Sequence, residues 1–176
     1  MDELVDALDE KGQPTGEVIS KYKAHENKTF HREVFVIIIN SKKEILLQKR
    51  AKHKRVHPGF WGTVAGHVGA GESYQHTAIR ELEEEVGVKT TVKSLIPMYC
   101  EPWIEDYQRA WVQWYLLVLD KDEKDFVLQE DEVEAVRWFA LDEFSERVNI
   151  SHSDSTYHLH KGIYEKLINY IKKVKV

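Results

Sequence analysis

A length of 176 residues suits one domain with a full hydrophobic core. Apolar residues at 42 % and charged residues at 31 % exclude a disordered chain. A formal charge of −5 argues against a dedicated nucleic-acid binder, which is usually basic. It leaves small anionic substrates open, because a bound metal can reverse the local sign. The lone cysteine, Cys100, rules out a disulfide framework or a cysteine-rich zinc site and reads as inert packing. Met1 to Leu4 has neither a basic start nor an apolar run of signal length. The longest apolar stretches, Val34 to Ile39 and Tyr115 to Leu119, are too short to span a bilayer. A cytoplasmic protein without a membrane partner is therefore expected.

In chain order, Glu3 to Leu8 and Val18 to Lys21 flank the turn-rich stretch from Asp9 to Pro14, which predicts an N-terminal hairpin within residues 1–30. Val34 to Ile39 is a continuous apolar, β-branched run, the pattern of a buried central strand. A turn over Asn40 to Lys43 leads to a strand over Glu44 to Lys49. Gly59, Gly62, Gly66, Gly69 and Gly71 punctuate the next segment of the chain. A helix is predicted over Ser73 to Val86, with Ser73 as its cap and Gly87 in the left-handed position beyond its end. Further strands are expected over Thr90 to Met98, Ala110 to Leu119 and Ala135 to Ala140. Asp142 opens a short helix, and Ser155 or Thr156 opens a final one running to about Lys173. Strands interleaved with helices predict an α/β (α+β) fold with a mixed sheet, in a single domain over residues 1–176.

The segment GHVGAGESYQHTAIRELEEEVGV, residues 66–88, carries the chemistry. On a helix, Ala78, Ile79, Leu82 and Val86 form an apolar stripe. Glu81, Glu84 and Glu85 gather on another face, while Glu83 turns to solvent. Like charges at these spacings cost roughly 0.2–0.5 kcal/mol per pair, a penalty that a hard cation removes. Magnesium and manganese take oxygen ligands and substrate phosphates. The glycine-rich loop before the helix lets backbone come close to a metal or a phosphate. By itself, an acidic run of this kind is more often a solvated helix face.

The spacing of Gly66, Glu72, Arg80, Glu81, Leu82, Glu84, Glu85, Gly87 and Val88 resembles the Nudix box of the MutT-like hydrolases at each fixed position. The resemblance implies the Nudix fold, an α/β/α sandwich around a central mixed sheet. It also implies hydrolysis of a diphosphate linkage in a nucleoside diphosphate derivative with Mg2+ or Mn2+. On that resemblance, Glu81, Glu84 and Glu85 are the catalytic and metal-binding carboxylates, with the Gly66 carbonyl as a further metal contact. Glu72 and Arg80 form a structural ion pair, and Gly87 closes the helix. A homodimer is reasonable by the same analogy.

Outside the box, His31-Arg32, the strand from Val34 to Ile39, Leu46 to Arg50, His57 to Trp61 and Val136 to Phe139 resemble the branch that includes isopentenyl-diphosphate isomerase. The isomerase relatives carry a cysteine before the box and a glutamate on the strand after it. This chain has no cysteine before Cys100, and Gln113 stands on that strand, so hydrolysis is favoured over isomerisation. A ligand-sensing module would show an eroded box, whereas this one is intact.

The general base is expected outside the box, with Glu130, Asp131, Glu132 and Glu134 as the pool. In the basic run from Lys49 to Arg55, Arg50 and Lys54 are the candidates for phosphate capture. Trp103, Tyr107, Trp111 and Trp114 could stack on a base, although aromatic residues in strands are usually packing. Packing is favoured for Trp111 or Trp114. His152, His158 and His160 lack an acidic or cysteine partner at a recognised spacing and read as surface residues.

Overall fold

A computed structural model describes residues 2–106, 108–150 and 161–174, in two compact units. The first unit comprises Met1–Val36, Ala65–Leu82 and Lys89–Leu116. It opens with the expected hairpin, β1 (Leu4–Leu8) antiparallel to β2 (Pro14–Ser20). Asp9 shapes the turn by accepting hydrogen bonds from the Lys11 and Gln13 amides. A short helix that the sequence did not signal, α1 (Lys21–Glu26), comes next, capped by the Ser20 hydroxyl, which accepts from the Lys23 amide.

β3 (His31–Ile39) is the expected central strand, extended three residues toward the N-terminus. β4 (Ile45–Arg50) comes after a turn in which the Asn40 side chain accepts from the Lys42 and Glu44 amides. Two short strands, β5 (Trp61–Gly62) and β6 (Val64–His67), were not anticipated, because the glycines there read as loop. The predicted helix is α2 (Tyr74–Val86), with the Ser73 hydroxyl accepting from the His76 amide. Of its expected apolar stripe, Ala78, Leu82 and Val86 are fully buried and Ile79 is half-buried.

The strand expected at Thr90 to Met98 is displaced. Residues 92–94 form a single 3-10 turn, and β7 (Ile96–Ile104) begins where Ile96 pairs with Leu116 of β8 (Arg109–Val118). Register with a distant partner fixed that boundary, and local alternation could not. In the first unit, Val34, Val68, Trp103, Val112 and Trp114 are buried core. Phe35 stacks on both Trp103 and Trp114, at centroid distances of 5.1 and 4.6 Å.

The second unit comprises Ile37–Val64, Glu83–Val88 and Leu117–Val176. Here the end of β3 pairs with β4, and β4 pairs with β9 (Val133–Phe139) over Ile45 to Arg50 and with β5. The helices α3 (Leu141–Ile150) and α4 (Lys161–Lys173) pack through Phe144 and Tyr164, edge to face at 5.6 Å. The expected start of α4 at Ser155 or Thr156 lies outside the described residues, as do Tyr107, His152, His158 and His160. Within the first unit β7 pairs with β8, and within the second β4 pairs with β3, β5 and β9. Paired strands with accompanying helices are the α+β arrangement expected. No helix among the described residues is long and apolar enough to cross a membrane.

Candidate functional site

The box segment begins at the end of β6. Gly66 and Glu81 meet closely, since a Cβ at residue 66 would collide with the Glu81 carboxylate. No side chain fits there, which is why the strand can pass so near that group. Gly66→Ala is therefore expected to displace the Glu81 side chain and lower stability by about 1–3 kcal/mol. Urea unfolding of the metal-free protein measures this, and an unchanged midpoint would show that Glu81 can swing aside without penalty.

Arg80 organises the loop side of the helix. Its guanidinium lies 2.8 Å from Glu81 Oε1, 3.5 Å from Glu72 Oε2 and 4.0 Å from Glu3 Oε1. The Glu72–Arg80 pair expected from the motif is thus present, and Arg80 is also shared with Glu81. β1 holds the same loop, because Asp6 accepts from the Gly71 amide and binds Arg32 at 2.6 Å. Burial alone would push the Glu72 carboxyl up. Hydrogen bonds from Thr77 and Arg80, and the Arg80 charge, override burial and hold it below its ordinary value.

A depressed carboxyl stabilises the fold above its unfolded pKa, and the contribution is lost as pH falls through the folded value. Glu72→Gln is accordingly expected to lower stability at neutral pH, with the difference from wild type shrinking as pH falls below about 4.5, so that the variant's acid limb is flatter. Unfolding free energy measured from pH 3 to pH 7 checks it, and parallel curves would dismiss the idea.

Of the three helix carboxylates, Glu81 and Glu85 are buried, at 9 % and 5 % exposure, and Glu84 is exposed. Glu83 is exposed as expected. Glu85 lies in the second unit, where its Oε2 accepts from the Gln48 amide at 2.8 Å and its carbonyl accepts from the Gln129 amide at 3.2 Å. Gly87 adopts φ +64° at the helix end, as its residue type predicted.

The basic run sits in the second unit against the acidic pool. Lys54 bonds Glu132, and Arg50 lies 3.5 Å from the other oxygen of the same carboxylate. Glu134 is bound to Lys49 at 3.0 Å and to Lys52 at 3.6 Å. A hydrogen bond from Lys49 leads the interactions that hold the Glu134 carboxyl below its ordinary value. Both carboxylates are thus committed to cations, which suits a base poorly. Glu130 and Asp131 are exposed.

Trp103 and Trp114 are buried, at 4 % and 0 % exposure, which answers the stacking question against them. Cys100 is exposed on β7, contrary to the packing role expected, because that strand presents this position outward. A broad depression of about 880 Å³ in the second unit, lined by Asn40, Lys42, Asp120 and Trp138, contains no box residue.

A further group in the first unit escaped sequence reasoning. His25 of α1, His31 and Glu33 of β3 and His67 of β6 bring four potential ligand atoms within 4.8 Å of one another. His67 Nε2 lies 3.0 Å from both His25 Nε2 and Glu33 Oε1, and His31 Nε2 is 3.3 Å from Glu33. Burial would push Glu33 up, but the His67 charge and hydrogen bonds from His31 and His67 hold it far below its ordinary value. Burial would lower His31, but Glu33 outweighs it and raises the imidazole. Three imidazoles and a carboxylate form a donor set for a borderline divalent cation. The spacing of residues 25, 31, 33 and 67 matches no compact motif, and only the meeting of three elements creates the group.

The NUDIX domain family matches residues 29–159. An uncharacterized Nudix hydrolase of Pseudomonas aeruginosa is 38 % identical over 91 residues, which is 51 % of this chain and 53 % of that protein. The chain thus spans about half the length of that relative. An isopentenyl-diphosphate Delta-isomerase of Pectobacterium atrosepticum is 32 % identical over 144 residues, covering 80 % of this chain and 78 % of the relative. Among solved structures, a Deinococcus radiodurans protein matches with a TM-score of 0.70 at 17 % identity, covering 97 % of this chain and 100 % of that one. At that identity the likeness concerns the fold.

Proposed function

Because the chain belongs to the NUDIX domain family, we propose that it is a divalent-cation-dependent hydrolase that cleaves a diphosphate linkage in a nucleoside diphosphate derivative or a related small molecule. The observation that carries this reading is the burial of Glu81 and Glu85 on one helix, with Gly66 stripped of any side chain beside Glu81. Arg80 already pairs with Glu81 at 2.8 Å, and a divalent cation is the further charge that suits two buried carboxylates on one helix. The oxygen donors fit Mg2+ or Mn2+, which supply charge neutralisation and a water of lowered pKa when bound. On the resemblance of the box, Glu81, Glu85 and the Gly66 carbonyl would be the residues to hold that cation. The exposed Glu84 would serve as a further ligand or take the proton of the attacking water. Arg50 and Lys54 bind phosphate in exchange for the Glu132 carboxylate they hold now.

The test is product release from a panel of nucleoside diphosphates, nucleotide sugars, dinucleoside polyphosphates, NADH, coenzyme A and isopentenyl diphosphate, with Mg2+, Mn2+ or chelator. Chelator-sensitive turnover is expected, and ligand binding without turnover would make the protein a sensor.

The similarity to the isopentenyl-diphosphate Delta-isomerase of Pectobacterium atrosepticum favours a second reading, an isomerase-like activity. Against it, Gln113 donates to the Tyr99 and Trp114 carbonyls and offers no carboxylate. Deuterium exchange into isopentenyl diphosphate separates the two readings.

A further inference from the structure

Gln48 lies on β4, outside the box segment, with its backbone held on both sides by pairing to Gly62 and Val136. Its amide nitrogen donates to Glu85 Oε2 at 2.8 Å and to the Thr63 carbonyl at 3.4 Å. Both partners are acceptors only, so they fix which end of the amide faces them. A flipped amide would set oxygen against oxygen twice. The other end, Oε1, is buried and has no hydrogen-bond partner among the described residues. Native proteins seldom leave a buried acceptor in that condition without a reason at the site.

The residue type is selective here. A lysine would neutralise Glu85 and compete with a cation. A glutamate would repel it. An apolar residue would remove the hydrogen bond that Gln48 donates to the Glu85 carboxylate. Glutamine donates to Glu85 without adding charge, and the other end of its amide is a neutral, buried acceptor. Waters on a divalent cation are strong donors, and magnesium in particular retains several of them.

We propose that Gln48 is a positioning residue of the cation site: its amide nitrogen holds Glu85 in the ligating orientation, and its Oε1 accepts a hydrogen bond from a cation-bound water. The proposal rests on reading Glu85 as a ligand. Outer-shell partners of this kind typically carry a 10- to 100-fold share of metal affinity.

The experiment is direct Mn2+ binding to the metal-free full chain, monitored by the electron paramagnetic resonance of free Mn2+ without substrate. Water-proton relaxation at saturating Mn2+ is recorded alongside it. Gln48→Met, close in shape and length, and Gln48→Leu are compared with wild type and with Glu85→Gln, each checked for fold by circular dichroism. The expected result for both Gln48 variants is a dissociation constant raised about ten-fold or more, with altered relaxation in the bound state, which a mere packing role would not change.

Wild-type affinity in Glu85→Gln would overturn the reading of the box site, and the proposal with it. Weakened binding in Glu85→Gln, with wild-type affinity and relaxation in both Gln48 variants, would overturn the proposal alone. Should neither variant fold, the side-chain amide resonances of Gln48 in the wild-type protein decide. A shift on Mg2+ addition is expected, and unmoved resonances refute the proposal.

Discussion

Glu85→Gln is expected to lower kcat/KM about a thousand-fold on whichever diphosphate the wild-type protein hydrolyses, equivalent to about 4 kcal/mol of transition-state stabilisation. The carboxylate is buried at 5 % exposure, and its Oε2 is held by Gln48. The amide keeps the shape and a hydrogen-bonding capacity but withdraws the charge that a hard cation requires. Structure should survive, because removing a buried charge relieves its desolvation. The measurement is steady-state turnover of wild type and variant over a Mg2+ titration. A variant that recovers full rate at high Mg2+ has lost affinity only. One with wild-type rate at every Mg2+ concentration would remove Glu85 from the chemistry.

The second large effect is on stability. Gly87→Ala is expected to cost about 2–4 kcal/mol, the sum of a left-handed backbone for a residue with a side chain and an overpacked contact. Residue 87 stands at φ +64°, and an added Cβ would meet Val127 Cβ at 2.7 Å and the Val127 carbonyl at 2.8 Å. The backbone carbonyl is the harder obstacle, because that segment is tied down where the Gln129 amide donates to the Glu85 carbonyl. Urea unfolding at neutral pH measures the loss as a lowered midpoint with unchanged slope. A loss under about 1 kcal/mol would show that the 127–129 segment yields and that the tight fit at the helix end is unimportant.

The same residues show what can be seen without coordinates. Ser73, the apolar stripe of Ala78, Leu82 and Val86, and Gly87 define α2 through signals no more than a few residues apart, and the helix spans Tyr74–Val86 as expected. β3 was legible because a buried strand is apolar at every position. The β7 boundary was not, because its start depends on pairing with Leu116 across the chain.

The sequence by itself determined the box, the helix that carries its carboxylates and the central strand, because helical periodicity, capping and turn chemistry are local and leave their pattern in consecutive residues. Only tertiary structure decided that Glu81 and Glu85 are buried while Glu84 is exposed. Only tertiary structure committed Glu132 and Glu134 to the basic run. It alone gathered His25, His31, Glu33 and His67 from three elements, and set Gln48 against Glu85. These are contacts between residues distant in sequence, and the free energy of such a contact depends on which side chains the packed strands and helices bring together, a quantity that no window of neighbouring residues contains.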